Sequence, residues 1–305
     1  MYNPTDPRAS LASAKPGTTA TAFAGAEYAK FHESPPREDD ANGKSWYARG
    51  QNFIIAHSEA KPGASFSRKG QIDEYVVLLP NRDSSAEIAW NGEKHALPGY
   101  SLAFVPPGDS TVSLPKGGRV VRMFTTRSAD LAALCQNAAA YATAHPNIPP
   151  FAAWPEPKGG HKVRSHTLDV PDEPGRFGRI WRCTTFMVNI PFAQSAPRDR
   201  AKLSPHSHDD FEQCSLALAG NWEHHMRWPW GVDQHAWHED VHAMVGSPSV
   251  TVIPAQVIHT SVWGEGKSQL VDIFAPPRVD FSMKPGWVRN ADEYPMPAQT
   301  AEAAE

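Results

Sequence analysis

At 305 residues the chain has room for two domains or for one large β domain. An apolar fraction of 40% with ten tryptophans is ample for a packed core, while a formal net charge of −4 gives no reason to expect nucleic acid or a membrane surface as partner. Three cysteines (Cys135, Cys183 and Cys214) are odd in number and form no CxxC, which argues against a disulfide framework or a zinc knuckle.

The first forty residues are rich in Ala, Pro, Thr and Ser and are expected to form a flexible segment, 1–40. Short β-rich runs follow at Asn52 to Ala56, Glu74 to Leu79, Ala86 to Trp90, Ser101 to Val105 and Arg119 to Phe124, most with Gly, Pro or Asn near at least one end. Ala129 to Ala144 reads as a helix with Leu131, Leu134, Cys135 and Ala138 on one face. The Pro- and Gly-rich stretch from Pro146 to Gly178 reads as a linker that also carries the entry strands of the second half. The β texture then returns at Thr185 to Ile190, Cys214 to Leu218, Ser249 to Ile253 and Leu270 to Phe274, and residues 297–305, small and acidic, are expected to be mobile.

These runs repeat. Ser101-Leu-Ala-Phe-Val-Pro-Pro-Gly-Asp-Ser-Thr111 matches Ser249-Val-Thr-Val-Ile-Pro-Ala-Gln-Val-Ile-His259 in pattern, and Phe124 to Asp130 echoes Phe274 to Asp280. Upstream, Trp46 to Ile55 resembles Trp181 to Val188, and Glu74-Tyr-Val-Val-Leu aligns with Glu212-Gln-Cys-Ser-Leu. The offset grows along the chain, which places an insertion in the second copy, at the Trp-, Pro- and His-rich segment from Trp228 to His242. Two tandem β domains are therefore expected: 41–130 and 176–285, joined by a helix and linker at 131–175 and followed by a tail, 286–305.

Chemistry concentrates in the second copy. His206 and His208 sit two apart in Pro205-His-Ser-His-Asp-Asp-Phe-Glu212, so on an extended strand both point to one face. Glu212 is four further on, and His259 arrives from Pro254-Ala-Gln-Val-Ile-His259. Three imidazoles and a carboxylate suit a divalent first-row metal: Fe first, with Mn, Ni, Zn or Cu as alternatives. The competing reading is a set of surface histidines on a polar loop.

Together the segments resemble the two motifs of the cupins. The first runs HxH, three or four residues, Glu, about six residues and Gly, here His206-Ser-His208, Glu212 and Gly220 with one residue more before the Gly. The second runs PxGxxH, with Gln256 in place of the usual Gly, a change expected to alter the turn's backbone. The resemblance implies an all-β chain of two tandem jelly-roll barrels with a short helical connection, and one divalent transition metal in the C-terminal barrel. The N-terminal copy has Thr111 where the second-motif His would stand and no HxH upstream of Glu74, so it is expected to bind no metal.

Strand alternation sets further expectations around the site. If Glu212 and His259 face inward, so do Cys214, Ser261 and Trp263, which become candidate substrate contacts. His224 and His225 fall on opposite faces, and His225 with Glu223 is the candidate acid/base pair, Arg227 sharing their face as a substrate contact. The plainer alternative for that row is an exposed sheet face with ordinary ion pairs. His235, His238 and His242 are compatible with one side of a short helix capped by Asp233. A metal-dependent dioxygenase-type oxidoreductase acting on a small chelating molecule is the leading expectation. A metal-dependent isomerase or lyase of a sugar or carboxylic acid and a non-catalytic binding module are the alternatives. The start, Met1 to Pro7, lacks the basic-then-apolar pattern of a secretory signal, and no run approaches 18 apolar residues, so a cytoplasmic protein is expected. Family analogy adds a homodimer.

Overall fold

The structure, a computed structural model, describes residues 20–298 apart from 175, 177 and 232. The two outermost ends expected to be mobile, 1–19 and 299–305, lie outside the described residues.

The runs predicted as strands pair into two barrels, each a large sheet faced by a small one. In the N-terminal barrel the large sheet orders Arg164–Thr167, Ser101–Val105, Tyr75–Leu79, Gly118–Thr125, Phe53–Ala60, Gly43–Arg49 and Glu38–Asp40. The facing sheet orders Ala64–Gln71, Gly108–Leu114, Ser85–Trp90 and Glu93–Pro98. In the C-terminal barrel the large sheet orders Glu27–Ala29, Ser249–Ile253, Gln213–Ala219, Gln269–Phe274, Met187–Asn189 and Ile180–Arg182. Val241–Val245, Trp222–Arg227 and Ile258–Trp263 face it. Among the described residues no helix is long and apolar enough to cross a membrane.

Side-chain alternation gives each large sheet one face toward its own barrel and one toward the other barrel. Tyr75, Val77 and Leu79 fill the inside of the N-terminal barrel with Ile88, Val112 and Phe124. The intervening Val76 and Leu78 turn outward and join Cys214, Leu216, Leu218, Val271 and Ile273 from the other barrel in one shared core. The two large sheets thus pack back to back, and both faces of each are buried.

The chain exchanges strands between the barrels. Glu27–Ala29 precedes the N-terminal barrel yet pairs with Ser249–Ile253 of the C-terminal one. Arg164–Thr167, from the connection, pairs with Ser101–Val105 of the N-terminal one. Residues 20–40 are therefore not the loose segment expected from composition: Ala29 and Phe31 are buried in the shared core, and Trp228 Nε1 donates to Ala24 O at 2.8 Å. Composition marked the segment as rich in Ala, Pro, Thr and Ser, but a few apolar contacts and one sheet edge fix it.

The long helix expected at Ala129 to Ala144 is also shorter. One α-turn, Ala129–Ala132, is followed by a 3-10 turn, Ala138–Tyr141. Between them the backbone is claimed by a neighbouring strand: Gln136 N donates to Tyr47 O at 2.9 Å, and the Asn137 side chain accepts from Arg49 N and donates to Arg49 O. Leu131 and Cys135 are nevertheless buried, with Leu134 and Ala138 packed on the same cluster, so the apolar face was correctly placed.

Candidate metal centre

His206 and His208 lie on the approach to strand Gln213–Ala219, and His259 lies on strand Ile258–Trp263. A two-residue bridge holds the segments together: His206 N donates to His259 O at 3.1 Å, and His259 N to His206 O at 2.8 Å. Gln256 N donates to His208 O at 2.5 Å, tying the second motif to the first. Gln256 does so with φ at +66°, the left-handed backbone a glycine would adopt freely. The altered turn expected from the missing glycine is therefore not seen, because Gln256 takes up the glycine conformation.

The three imidazoles converge, each offering one ring nitrogen within 4.8 Å of the others. Their other contacts suit a ligand set. His206 Nδ1 lies 2.9 Å from Ser204 O and His259 Nδ1 2.9 Å from Val257 O, so backbone carbonyls take the ring N–H and fix the tautomer that leaves Nε2 bare. His259 Nε2 is buried and has no partner among the described residues, as a metal-facing nitrogen would be. Desolvation, with the positive charges of Arg278 and neighbouring histidines, pushes His208 down to about 2. Desolvation likewise pushes His259 down to about 4. Both are neutral imidazoles at physiological pH, the form that binds metal. The donor set thus fits a divalent transition metal.

Glu212 does not join them. Its carboxylate points to the other barrel, where Oε2 accepts from Gln51 N at 2.5 Å and Oε1 lies 2.6 Å from His145 Nδ1 and 3.3 Å from Tyr141 Oη. Gly50 makes room for it, since a Cβ there would stand 2.6 Å from Glu212 Oε2. The N-terminal copy has the mirror arrangement: buried Glu74 accepts from Thr184 N at 3.0 Å and Tyr294 Oη at 2.8 Å. The two glutamates are a pseudo-symmetric pair of clamps between barrels, and the alignment of Glu74 with Glu212 reflects that role rather than metal binding.

The place beside the triad belongs to Gln213. Its Oε1 lies 2.8 Å from His208 Nε2, while its Nε2 donates to Ser215 Oγ and Asp272 Oδ1, both at 3.0 Å. The signal for this was in the sequence. Counted from Gln213 there are six residues before Gly220, the spacing that Glu212 misses by one. Gly220 itself has φ at +86°, and a Cβ there would stand 2.4 Å from Ser268 Oγ.

That one-residue change of parity moves Cys214 as well. Cys214 faces the shared inter-barrel core, not the triad, and burial pushes its thiol well up, so it is no substrate contact. The candidate acid/base pair takes the outer face of its strand, where His225 and Arg227 line a cavity that His259 also borders. In strand Trp222–Arg227 the residues Trp222, His224 and Met226 are buried, while Glu223, His225 and Arg227 face outward. Glu223 pairs with Arg200 at 2.7 Å, Arg227 with Asp240 at 2.5 Å, and His225 Nδ1 sits 2.7 Å from His242 Nδ1. The ordinary ion-paired face holds for this row. The inward histidine is His224, whose Nδ1 lies 2.7 Å from Ser261 Oγ and which desolvation pushes down to about 3. Ser261 and Trp263 do share the face of His259, Trp263 packing on Trp222. In the insertion, the Asp233 cap is present on a 3-10 turn, Gln234–Ala236, but His242 belongs to the next strand.

One residue near the triad was missed entirely. Arg278 is largely buried against Phe211, Phe274 and Phe281 and paired with Asp280, and its charge lowers the pKa of both His208 and His259. Phe211 in turn stacks on His208 with centroids 4.8 Å apart. Nothing in Pro276-Pro-Arg278 signals proximity to a histidine cluster.

No protein-family model matches this chain, and no curated protein matches it. Solved structures do. AerE from Microcystis aeruginosa superposes with a TM-score of 0.53 at 9% identity, over 85% of this chain and all of that one. An oxalate decarboxylase gives 0.54 at 12% identity over 93% and 88%. The 11S allergen of Cocos nucifera gives 0.52 at 11% identity over 85% and 90%. At such identities the likeness is one of fold. With two back-to-back barrels and a pseudo-symmetric repeat, the chain has a bicupin fold.

Proposed function

We propose that this chain is a metal-dependent cupin enzyme acting on a small anionic chelating molecule, with dioxygenase-type oxidation as its reaction. The observation that carries the reading is the convergence of three imidazoles, among them the buried Nε2 of His259, which has no partner among the described residues. A divalent metal held by His206, His208 and His259, with Gln213 beside them, would supply a Lewis-acidic, redox-capable centre with coordination positions left open.

The anionic preference follows from charge. With Gln213 where the motif has Glu, no carboxylate stands among the proposed ligands, so none of them offsets the charge of a bound cation. Arg278 adds to the positive potential felt at His208 and His259. A carboxylate or enolate is favoured there over a neutral chelator. Phe211 and Phe274 wall the His208 side and exclude water from it.

One observation favours a second reading, a metal-dependent isomerase or lyase. Asp272, hydrogen-bonded to Gln213, has its carboxyl pushed up to about 6 by desolvation, a value suited to moving a proton near neutrality. Oxygen uptake separates the two. Anaerobically Fe(II)-loaded protein is mixed with a panel of hydroxy acids, β-dicarbonyls and phenolic acids. Oxygen consumed in proportion to substrate lost supports the dioxygenase reading. Turnover without oxygen consumption supports the second and overturns the first.

A further inference from the structure

Below the histidines, the inside of the C-terminal barrel is polar where the same positions of the N-terminal barrel are mostly apolar. Thr251, Ser215, Asp272 and Asn189 lie in register across four adjacent strands: Ser215 opposite Thr251, Ser215 opposite Asp272, and Asn189 opposite Asp272. Their neighbours Val250, Val252, Cys214, Leu216, Val271, Ile273 and Val188 all face the inter-barrel core, so the four side chains face the barrel interior. The matching row of the N-terminal barrel, by the same registers, is Ala103, Val77, Arg122 and Ala56. There the alanines and valine belong to a packed apolar cluster.

A fold does not require this polar belt, since its own duplicate does with almost none of it. Nor is the belt self-satisfied. Ser215 Oγ and Asp272 Oδ1 lie 3.2 Å apart and both accept from the Gln213 amide, but among the described residues Thr251 Oγ1 and both amide atoms of Asn189 are buried with no partner. From the facing sheet His224 adds a third such group, its Nε2, while its Nδ1 is engaged by Ser261. Thr251, Asn189 and His224 are all at most 1% exposed. Asp272 and Ser261, one on each sheet, keep part of their surface accessible, which leaves room between the sheets at this level. Buried polar groups of this kind are paired in native proteins, by protein, water or ligand.

We infer that the belt recognises the hydroxyl groups of a small polyhydroxylated monocarboxylate whose chelating end lies at the histidines. The inference rests on the metal reading above and specifies its substrate. The belt lies two residues beyond Gln213 along its strand, about 7 Å, the reach of a four- or five-carbon chain. Its members are hydroxyls, an amide, a neutral imidazole and a carboxyl, with no Lys or Arg among them. They pair with hydroxyls or carbonyls, whereas a second carboxylate would meet Asp272. An alkyl or aryl tail would leave the same groups without partners.

The test compares two acids with the same chelating end. Metal-loaded full-length protein, with one equivalent of Mn(II) confirmed, is titrated calorimetrically with threonate and with 2-hydroxybutanoate. Threonate should bind at least about tenfold more tightly. Thr251→Val, nearly isosteric, should cut that preference to below about threefold without changing metal content or the affinity for 2-hydroxybutanoate. Ser215→Ala gives the same reading should Thr251→Val fail to fold. Equal binding of the two acids to the parent protein, or a preference untouched by both variants, overturns the inference and leaves the metal reading standing, with the belt serving only to hold water. Binding of neither acid overturns both.

Discussion

Replacing Glu212 by alanine separates a ligand from a clamp. Its carboxylate is buried and takes two short bonds, from Gln51 N at 2.5 Å and with His145 Nδ1 at 2.6 Å, besides Tyr141 Oη. Bonds to a charged group contribute about 1.5–3 kcal/mol each, and removing it strands three donors between the barrels, so the loss should be about 3–5 kcal/mol. For a chain of this size that corresponds to a fall in Tm of about 5–8 °C by scanning calorimetry. Metal content, measured on the same sample by mass spectrometry, should not change. Glu74→Ala, the mirror clamp, should lower Tm by a similar amount. A Glu212→Ala protein that melts within about 2 °C of the parent yet has lost its metal would refute the reasoning, because it would return Glu212 to the metal.

Gln213→Ala should keep the fold but weaken metal affinity by about 10- to 100-fold in a competition titration, since it removes the group that orients His208. His225→Ala and Glu223→Ala, on the outer face, should leave metal content and turnover within about twofold of the parent in the oxygen-uptake assay. Stability should fall in acid. His57 and His224 are buried and pushed down to about 3 by desolvation, so their contribution is present above about pH 6.5 and lost as pH falls, at about 2.7 kcal/mol per unit for the pair. Burial opposes ionisation of His145, but its bond and charge interaction with Glu212 raise its pKa overall, so its contribution has the opposite sign, complete in acid and lost as pH rises through its folded pKa. Urea midpoints measured between pH 5 and 8 check both signs.

Much of the fold was readable because its signals are periodic. Strands such as Ser101–Val105 and Ser249–Ile253 stand out as short β-rich runs, and the repeat between them revealed the duplication before any contact was known. The histidines were readable because imidazoles at such spacing have few other uses. What failed was parity. A single residue decides which face of a strand a side chain takes, and Glu212 has the chemistry of a ligand while Gln213 has the position. Strand exchange by Glu27–Ala29 and the approach of Arg278 depend on contacts between segments more than two hundred and about seventy residues apart, respectively, which no local pattern encodes.

The central claim is that the C-terminal barrel holds one metal through His206, His208 and His259. Metal analysis of the parent protein and of His208→Ala, each purified without added metal, tests it most directly. One equivalent of a divalent transition metal per chain in the parent and loss of it in the variant is the predicted result. An unchanged metal content in His208→Ala would contradict the account.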